Sequence, residues 1–64
     1  MKNQKLITAR EQSRKTQKQV ADEIKISVRN YQDYEYNVNT PNVLTAIKIA
    51  QSLGKTVESL WGNE

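Results

Sequence analysis

The 64-residue sequence contains no cysteine and no histidine, and these two absences exclude several kinds of functional site. The chain has no thiol for a disulfide, no thiolate or imidazole ligand for a metal, and no nucleophile that a histidine base activates. Glycine occurs twice, and neither occurrence belongs to a glycine-rich phosphate loop. We therefore expect no metal, no cofactor and no small-molecule ligand, and the scattered carboxylates argue against an enzyme.

Long apolar runs are also missing. No segment approaches the roughly 20 apolar residues of a membrane helix, and the start of the chain, MKNQKLITAR, lacks the apolar region of about 7 to 15 residues found in a signal peptide. A chain of this length buries only about 60% of the surface that its unfolded form exposes, which leaves room for one small core. We expect a cytoplasmic protein with no membrane contact and a single domain over residues 1–64.

Charge is distributed unevenly along the chain. Residues 1–29 carry eight Lys or Arg and three Asp or Glu, a balance of +5, whereas residues 30–64 carry two against four, a balance of −2. A basic half of this kind is typical of a surface that faces a polyanion, although a solvated face has the same composition. The charge pattern therefore agrees with a nucleic-acid partner without requiring one.

Helix-breaking residues are scarce in the first two thirds of the chain. Proline occurs once, at Pro41, and no segment shows the alternation of a strand, so helices are expected to dominate. The first helix is predicted from about Asn3 to Ser13. Thr16 and Gln19 then fit a capping box, in which each side chain accepts the backbone N–H of the other residue at a helix start. A short second helix begins there, with its apolar stripe at Val20, Ala21 and Ile24.

Polar caps also predict the remaining helices. Ser27 caps the third helix, Asn42 the fourth and Thr56 the fifth, while the segment 37–41 forms a loop and Gly54 ends the fourth helix in a left-handed conformation. The expected result is an all-α domain of five short helices. Its buried stripes in the last two helices are predicted at Val43, Ala46, Ile47, Ala50 and Leu53, and at Val57, Leu60 and Trp61.

The second and third helices are joined by a short turn, as in a helix-turn-helix. In that motif the second of the two helices enters the major groove of DNA and the first crosses the backbone. A generic helical hairpin has the same spacing, so the spacing alone leaves both interpretations open. The residues that point outward at the start of the third helix, and that are therefore candidates for base contact, are Val28, Arg29, Gln32 and Asp33.

A longer set of residues, which follows one pattern without insertions from about Leu6 to Trp61, helps to decide between these two interpretations. It comprises Thr16-Gln17-Lys18-Gln19-Val20-Ala21, Ile26-Ser27, Tyr31, Glu35, Pro41, Ile49-Ala50, Leu53-Gly54 and Leu60. In this order and spacing the sequence resembles the Cro/phage-repressor (XRE) type helix-turn-helix family. The resemblance implies a compact five-helix, lambda-repressor-like DNA-binding domain, with the helix-turn-helix over about residues 16–36.

The same resemblance implies a role for single residues. Val28, Arg29, Gln32 and Asp33 would face bases. Arg10 and Glu35 would form a structural ion pair without contacting DNA. Gln17 would contact a phosphate at the start of the second helix, and the loop from Asn39 to Asn42 would touch the DNA backbone or bases. Beside these residues, we expect Thr16, Lys18 and Tyr36 to be backbone contacts.

Three of these roles have alternatives. Asp33 can accept a hydrogen bond from cytosine N4, or it can repel phosphates and so disfavour wrong sites. The Tyr36 hydroxyl can reach a phosphate or remain in solvent. Arg29, likewise, can read guanine or grip a phosphate.

The sequence departs from the family pattern at a few positions. Lys25 stands where the turn glycine is usual, so either Lys25 takes the left-handed conformation or the turn differs. Asn37 replaces a second frequent glycine. Leu44 occupies a position that is usually polar, and together with Leu60 and Trp61 it is predicted to form a dimer contact.

We therefore expect a transcriptional repressor that binds double-stranded DNA sequence-specifically. As a homodimer it would read a near-palindromic operator whose half-sites lie about 34 Å apart. The alternative is a protein-interaction module, such as the antitoxin of a toxin-antitoxin pair, that keeps the same fold but binds a protein.

Overall fold

Five helices make up the described part of the chain, residues 1–62, in a computed structural model. Among these residues there is no strand, so the predicted all-α fold class is confirmed. None of the helices combines the length and the apolar character of a membrane span. The helices are α1 (Gln4–Gln12), α2 (Gln17–Ile24), α3 (Val28–Glu35), α4 (Val43–Leu53) and α5 (Val57–Trp61).

Each helix begins at a polar residue whose side chain accepts a backbone N–H from the first turn. This bond satisfies one of the donors that a helix start leaves without an intrahelical partner. Thr16 and Thr56 both form complete capping boxes, the first with Gln19 as predicted and the second with Ser59. The predicted caps are confirmed, and the caps of the five helices are Asn3, Thr16, Ser27, Asn42 and Thr56.

A left-handed residue lies in each of the four turns that connect the helices. Lys25 has φ 61° and ψ 44°, and the Ile26 N–H after it donates to the Ala21 carbonyl at 3.0 Å, so the chain reverses within the three residues 25–27. The turn therefore keeps its geometry although lysine replaces glycine. Asn37 and Arg14 adopt similar positive φ values, and Gly54 ends α4 as predicted. For a side chain other than glycine, this conformation costs about 1 to 2 kcal/mol.

The core joins all five helices. α2 packs against both α3 and α4, and α1 packs against α5 and α3, so that α3 is held on one side and exposed on the other. The apolar side chains of the core are Leu6, Ala9, Val20, Ala21, Ile24, Tyr31, Ile49, Ala50, Leu53 and Leu60.

The predicted burial was wrong at four positions in the last two helices. Val43 and Ile47 are exposed and Ile49 is buried, because apolar residues surround more than half of α4 and their spacing alone does not select the inner side. Val57, predicted to be buried, lies at the surface at the start of α5. Leu60 was predicted both to be buried and to contact a partner. It is 1% exposed and fills the core between α5 and α1, so its predicted burial is confirmed and it is not available for a contact at the surface.

We predict that Lys25→Gly stabilises the protein by about 0.5 to 1 kcal/mol, because glycine adopts the left-handed turn without the penalty of a Cβ atom. The free energy of unfolding from urea titration measures the effect. Lys25→Ala serves as the control, since it removes the lysine side chain and keeps the Cβ.

The same measurement on Gly54→Ala has the opposite expected sign. Gly54 has φ +66° and no heavy atom within 4 Å of a Cβ placed there, so the change introduces backbone strain without a clash and should cost about 1 kcal/mol. If the free energy of unfolding of Lys25→Gly is no higher than that of Lys25→Ala, the left-handed turn at Lys25 carries no strain.

Candidate nucleic-acid interface

The outer side of α3 carries the side chains predicted to face bases. Residues 28, 29, 32 and 33 share one side of a helix because of its 3.6-residue period, and the inner side is occupied by the buried Tyr31 and Glu35. Val28 and Arg29 are exposed, whereas Gln32 and Asp33 are half-buried. The structure therefore brings the four predicted base-facing residues to one surface, on which they differ in exposure.

Arg29 projects farthest into solvent and is held at one point. Its side chain is 82% exposed, and its Nε donates to Asp33 Oδ1 at 3.4 Å, one helical turn later. Because Nε is engaged, the two Nη groups at the tip of the guanidinium remain available as a pair of parallel donors. This is the geometry that recognises two adjacent acceptors.

Asp33 is directed toward the loop between α3 and α4. Its Oδ2 accepts from Asn39 Nδ2 at 3.3 Å, and its backbone carbonyl accepts the N–H groups of Val38 and Asn39. The Asp33 carboxylate thus connects Arg29 to the loop residue Asn39, which the sequence did not predict.

The polar side chains at the start of α2 differ in exposure and in the partners that they contact. The Thr16 hydroxyl serves as the helix cap, so its oxygen is occupied by the Gln19 N–H at 3.1 Å. Lys18 is exposed, and its Nζ pairs with Asp22 at 3.1 Å, an exposed contact that contributes little and yields easily to another anion. Gln17 is half-buried and turns toward α3.

The far end of α3 contains a contact that sequence reasoning missed. Lys2 Nζ lies 5.6 Å from the centre of the exposed Tyr36 ring, a cation–π arrangement. Asn37 Nδ2 donates to the Met1 carbonyl at 2.7 Å and holds the N-terminal residues there. No sequence signal links residues this far apart. Asn42, the last predicted loop contact, uses Oδ1 to cap α4.

A buried ion pair supports this surface from behind. Arg10 Nε donates to Glu35 Oε2 at 2.6 Å, and the side chains are 16% and 1% exposed. Burial by itself lowers the pKa of Arg10, but the hydrogen bond and the charge of Glu35 raise it above its usual value. Burial, followed by the nearby Glu35 carboxylate, raises the pKa of Tyr31, so its phenol remains protonated.

Glu35 also connects this pair to the outer surface. Its Oε1 accepts from Gln17 Nε2 at 2.9 Å, and Gln17 Oε1 in turn accepts from Gln32 Nε2 at 3.0 Å. One carboxylate therefore joins α1, α2 and α3.

A separate apolar surface lies on α4 and α5. We call Val43, Leu44, Ile47 and Val57 the α4–α5 patch; Val43 is 74% and Leu44 72% exposed. Val43 and Val57 also line a shallow groove with Pro41 and the half-buried Trp61. Of the residues predicted for a dimer contact, Leu44 belongs to the patch and Trp61 borders it.

Comparison with known proteins extends this description. A family model described as helix-turn-helix matches residues 6–60. The chain is also 37% identical over 59 residues to the cryptic phage CTXphi transcriptional repressor RstR of Vibrio cholerae serotype O1. That alignment covers 92% of this chain and 53% of the relative, so the chain spans about half the length of the curated relative it matches.

We predict that removal of either member of the buried pair destabilises the fold, and that Arg10→Ala is the more damaging change. Arg10→Ala leaves the Glu35 carboxylate in the core without a cation, which typically costs about 3 to 5 kcal/mol. Glu35→Ala leaves the partly exposed Arg10, which can turn to solvent and so costs less. Thermal unfolding followed by circular dichroism measures both.

The matched control is Lys18→Ala, which removes one member of an exposed pair and should change stability by less than about 0.5 kcal/mol. Melting temperatures of Arg10→Ala and Glu35→Ala equal to that of the control would contradict a structural role for the pair.

Proposed function

This chain belongs to the helix-turn-helix family of the Cro and phage-repressor type, and from that membership we propose that it binds double-stranded DNA sequence-specifically and represses transcription. The observation that carries the proposal is the α2–α3 unit, whose three-residue connection presents the polar outer side of α3. The name of the relative, a transcriptional repressor, supports the direction of regulation. The activity is binding rather than catalysis, and it takes place in the cytoplasm.

In the proposed complex, α3 enters the major groove and α2 crosses the backbone above it. Arg29 donates from its two Nη groups to O6 and N7 of a guanine, a contact that distinguishes this base pair from the other three. Asp33 is a positioning residue in this scheme, because its bond to Nε directs the Nη groups outward. Val28 supplies an apolar surface that can contact the methyl group of a thymine.

Phosphate contacts come from the residues around α3. Lys18 supplies a charge beside the start of α2, where the positive end of the helix dipole also favours an anion. At the other end of α3, the phosphates of the opposite DNA strand are contacted by Tyr36, Asn39 and Asn42. The +5 balance of residues 1–29 adds a general attraction to DNA.

The proposed assembly is a homodimer on a near-palindromic operator. The α4–α5 patch is the contact surface, with Val43, Ile47 and Val57 taking the place that the sequence assigned to Leu60. A symmetric contact between two such patches removes four apolar side chains per copy from water. Binding of the same patch to another protein is the alternative, and it corresponds to the interaction module.

Selection of bound sequences from a pool of random DNA duplexes tests the proposal. We expect enrichment of one motif arranged as two inverted half-sites. A flat distribution of sequences, combined with a stoichiometric protein partner in a pulldown, would instead support the interaction module.

On the selected operator, we predict that Arg29→Ala costs about 1 to 3 kcal/mol and removes the preference at one G·C pair. Lys18→Ala should weaken all sequences by a similar factor and reduce the slope of log K against log salt by about 1. Fluorescence anisotropy with the operator and its single-base variants measures both. If Arg29→Ala lowers every affinity equally, Arg29 binds a phosphate and does not read a base.

We further predict that Leu44→Glu dissociates the homodimer, because it places a charge in the centre of the apolar contact. Sedimentation velocity over a range of concentrations measures the state of association. Val38→Glu is the matched control, since Val38 is equally apolar and exposed but lies in the α3–α4 loop outside the patch. A monomeric wild type at high concentration, or an unchanged Leu44→Glu dimer, would contradict the role of the patch.

A further inference from the structure

A chain of hydrogen bonds runs from the buried ion pair to the DNA-facing side of α3. It begins at the Glu35 carboxylate, which accepts hydrogen bonds from Arg10 Nε at 2.6 Å and from Gln17 Nε2 at 2.9 Å. It continues at Gln17 Oε1, which accepts a hydrogen bond from Gln32 Nε2 at 3.0 Å. Gln32 is half-buried at the outer side of α3, so the chain ends where a base would lie.

The chemistry of Glu35 sets the direction of every bond in this chain. A carboxylate paired with a guanidinium only accepts hydrogen bonds, so Gln17 must turn its NH₂ group toward Glu35. The Gln17 carbonyl oxygen then faces Gln32, and Gln32 must also present an N–H to it. Reversal of either amide would bring two acceptor oxygens together in a partly buried site, which is unfavourable.

Gln32 therefore has one defined set of groups left for a ligand. One N–H is used by Gln17, while the carbonyl oxygen and the second N–H remain together at the surface. An acceptor beside a donor matches the major-groove edge of adenine, which offers the N6 amino group and N7. Guanine presents two acceptors there and cytosine a donor, so a held amide fits them less well.

We propose that the Glu35–Gln17–Gln32 chain holds the Gln32 amide in the orientation that reads adenine, which makes Gln32 a specificity-determining residue and Gln17 its positioning residue. This proposal rests on the proposed DNA binding. It differs from the Arg29–Asp33 contact, which is exposed and longer, at 3.4 Å. The hydrogen bond that holds Gln32 is shorter and less exposed than the one that holds Arg29.

The test uses Gln17→Met and Gln32→Met, which keep the length of each side chain and remove its hydrogen bonds. Affinities are measured on the selected operator and on all its single-base variants. We expect Gln32→Met to reduce an adenine preference at one base pair about tenfold. Gln17→Met should reduce the preference at that same base pair and leave the preference that depends on Arg29 intact. The double variant should be no less selective there than Gln32→Met.

Gln51→Met is the matched control, because Gln51 is an exposed glutamine on α4 that takes no part in the Glu35–Gln17–Gln32 hydrogen bonds. A readout without DNA covers the case in which Gln17→Met unfolds. In NMR spectra of the free wild type, we expect the Gln32 side-chain amide protons to exchange with water more slowly than those of Gln51.

The outcomes separate this inference from the function on which it rests. If the wild type enriches a motif but Gln17→Met leaves every base preference unchanged, or weakens all of them equally, the positioning role is wrong and DNA binding stands. A base other than adenine at the Gln32 position, or Gln32 amide protons that exchange like those of Gln51, would also overturn it. If the wild type enriches no sequence, the proposed function itself fails, and the inference with it.

Discussion

The structure depends on how it neutralises the charge of Glu35. An ionised carboxylate that is 1% exposed has lost its hydration, and only close donors can compensate that loss. Arg10 supplies the opposite charge from α1, and Gln17 supplies a further donor from α2. Because these donors come from different helices, satisfying one buried charge also determines how α1 and α2 lie against α3. A purely apolar contact has no comparable directionality.

The short helices are a second constraint, and local chemistry meets it. Helices of 5 to 11 residues are barely stable alone, so each depends on its cap and on packing. Polar caps fix where the helices begin, and left-handed residues fix where several of them end. At Lys25 the left-handed conformation is kept although the side chain disfavours it, because the turn brings α2 and α3 into contact.

The outer surfaces divide according to their chemistry. The exposed side of α3 and the start of α2 carry amides and cations, and they suit a polyanion with patterned donors and acceptors. The α4–α5 patch carries branched apolar side chains with no polar group among them, which suits a second apolar surface. The proposed DNA recognition and the proposed association of copies therefore use different residues of the same small domain.

The sequence by itself determined the features that arise within a few residues. Helix caps, the all-α class, the loop at 37–41 and the outward face of α3 follow from contacts three or four residues apart, and the residue spacing was sufficient to identify the family. Only the tertiary structure decided which side of α4 is buried, since apolar residues cover most of that helix and its neighbours select Ile49 over Ile47. It also decided that Gln17 meets Gln32 and that Lys2 lies over Tyr36. Those contacts join different elements, and their existence depends on how the helices pack rather than on any local pattern.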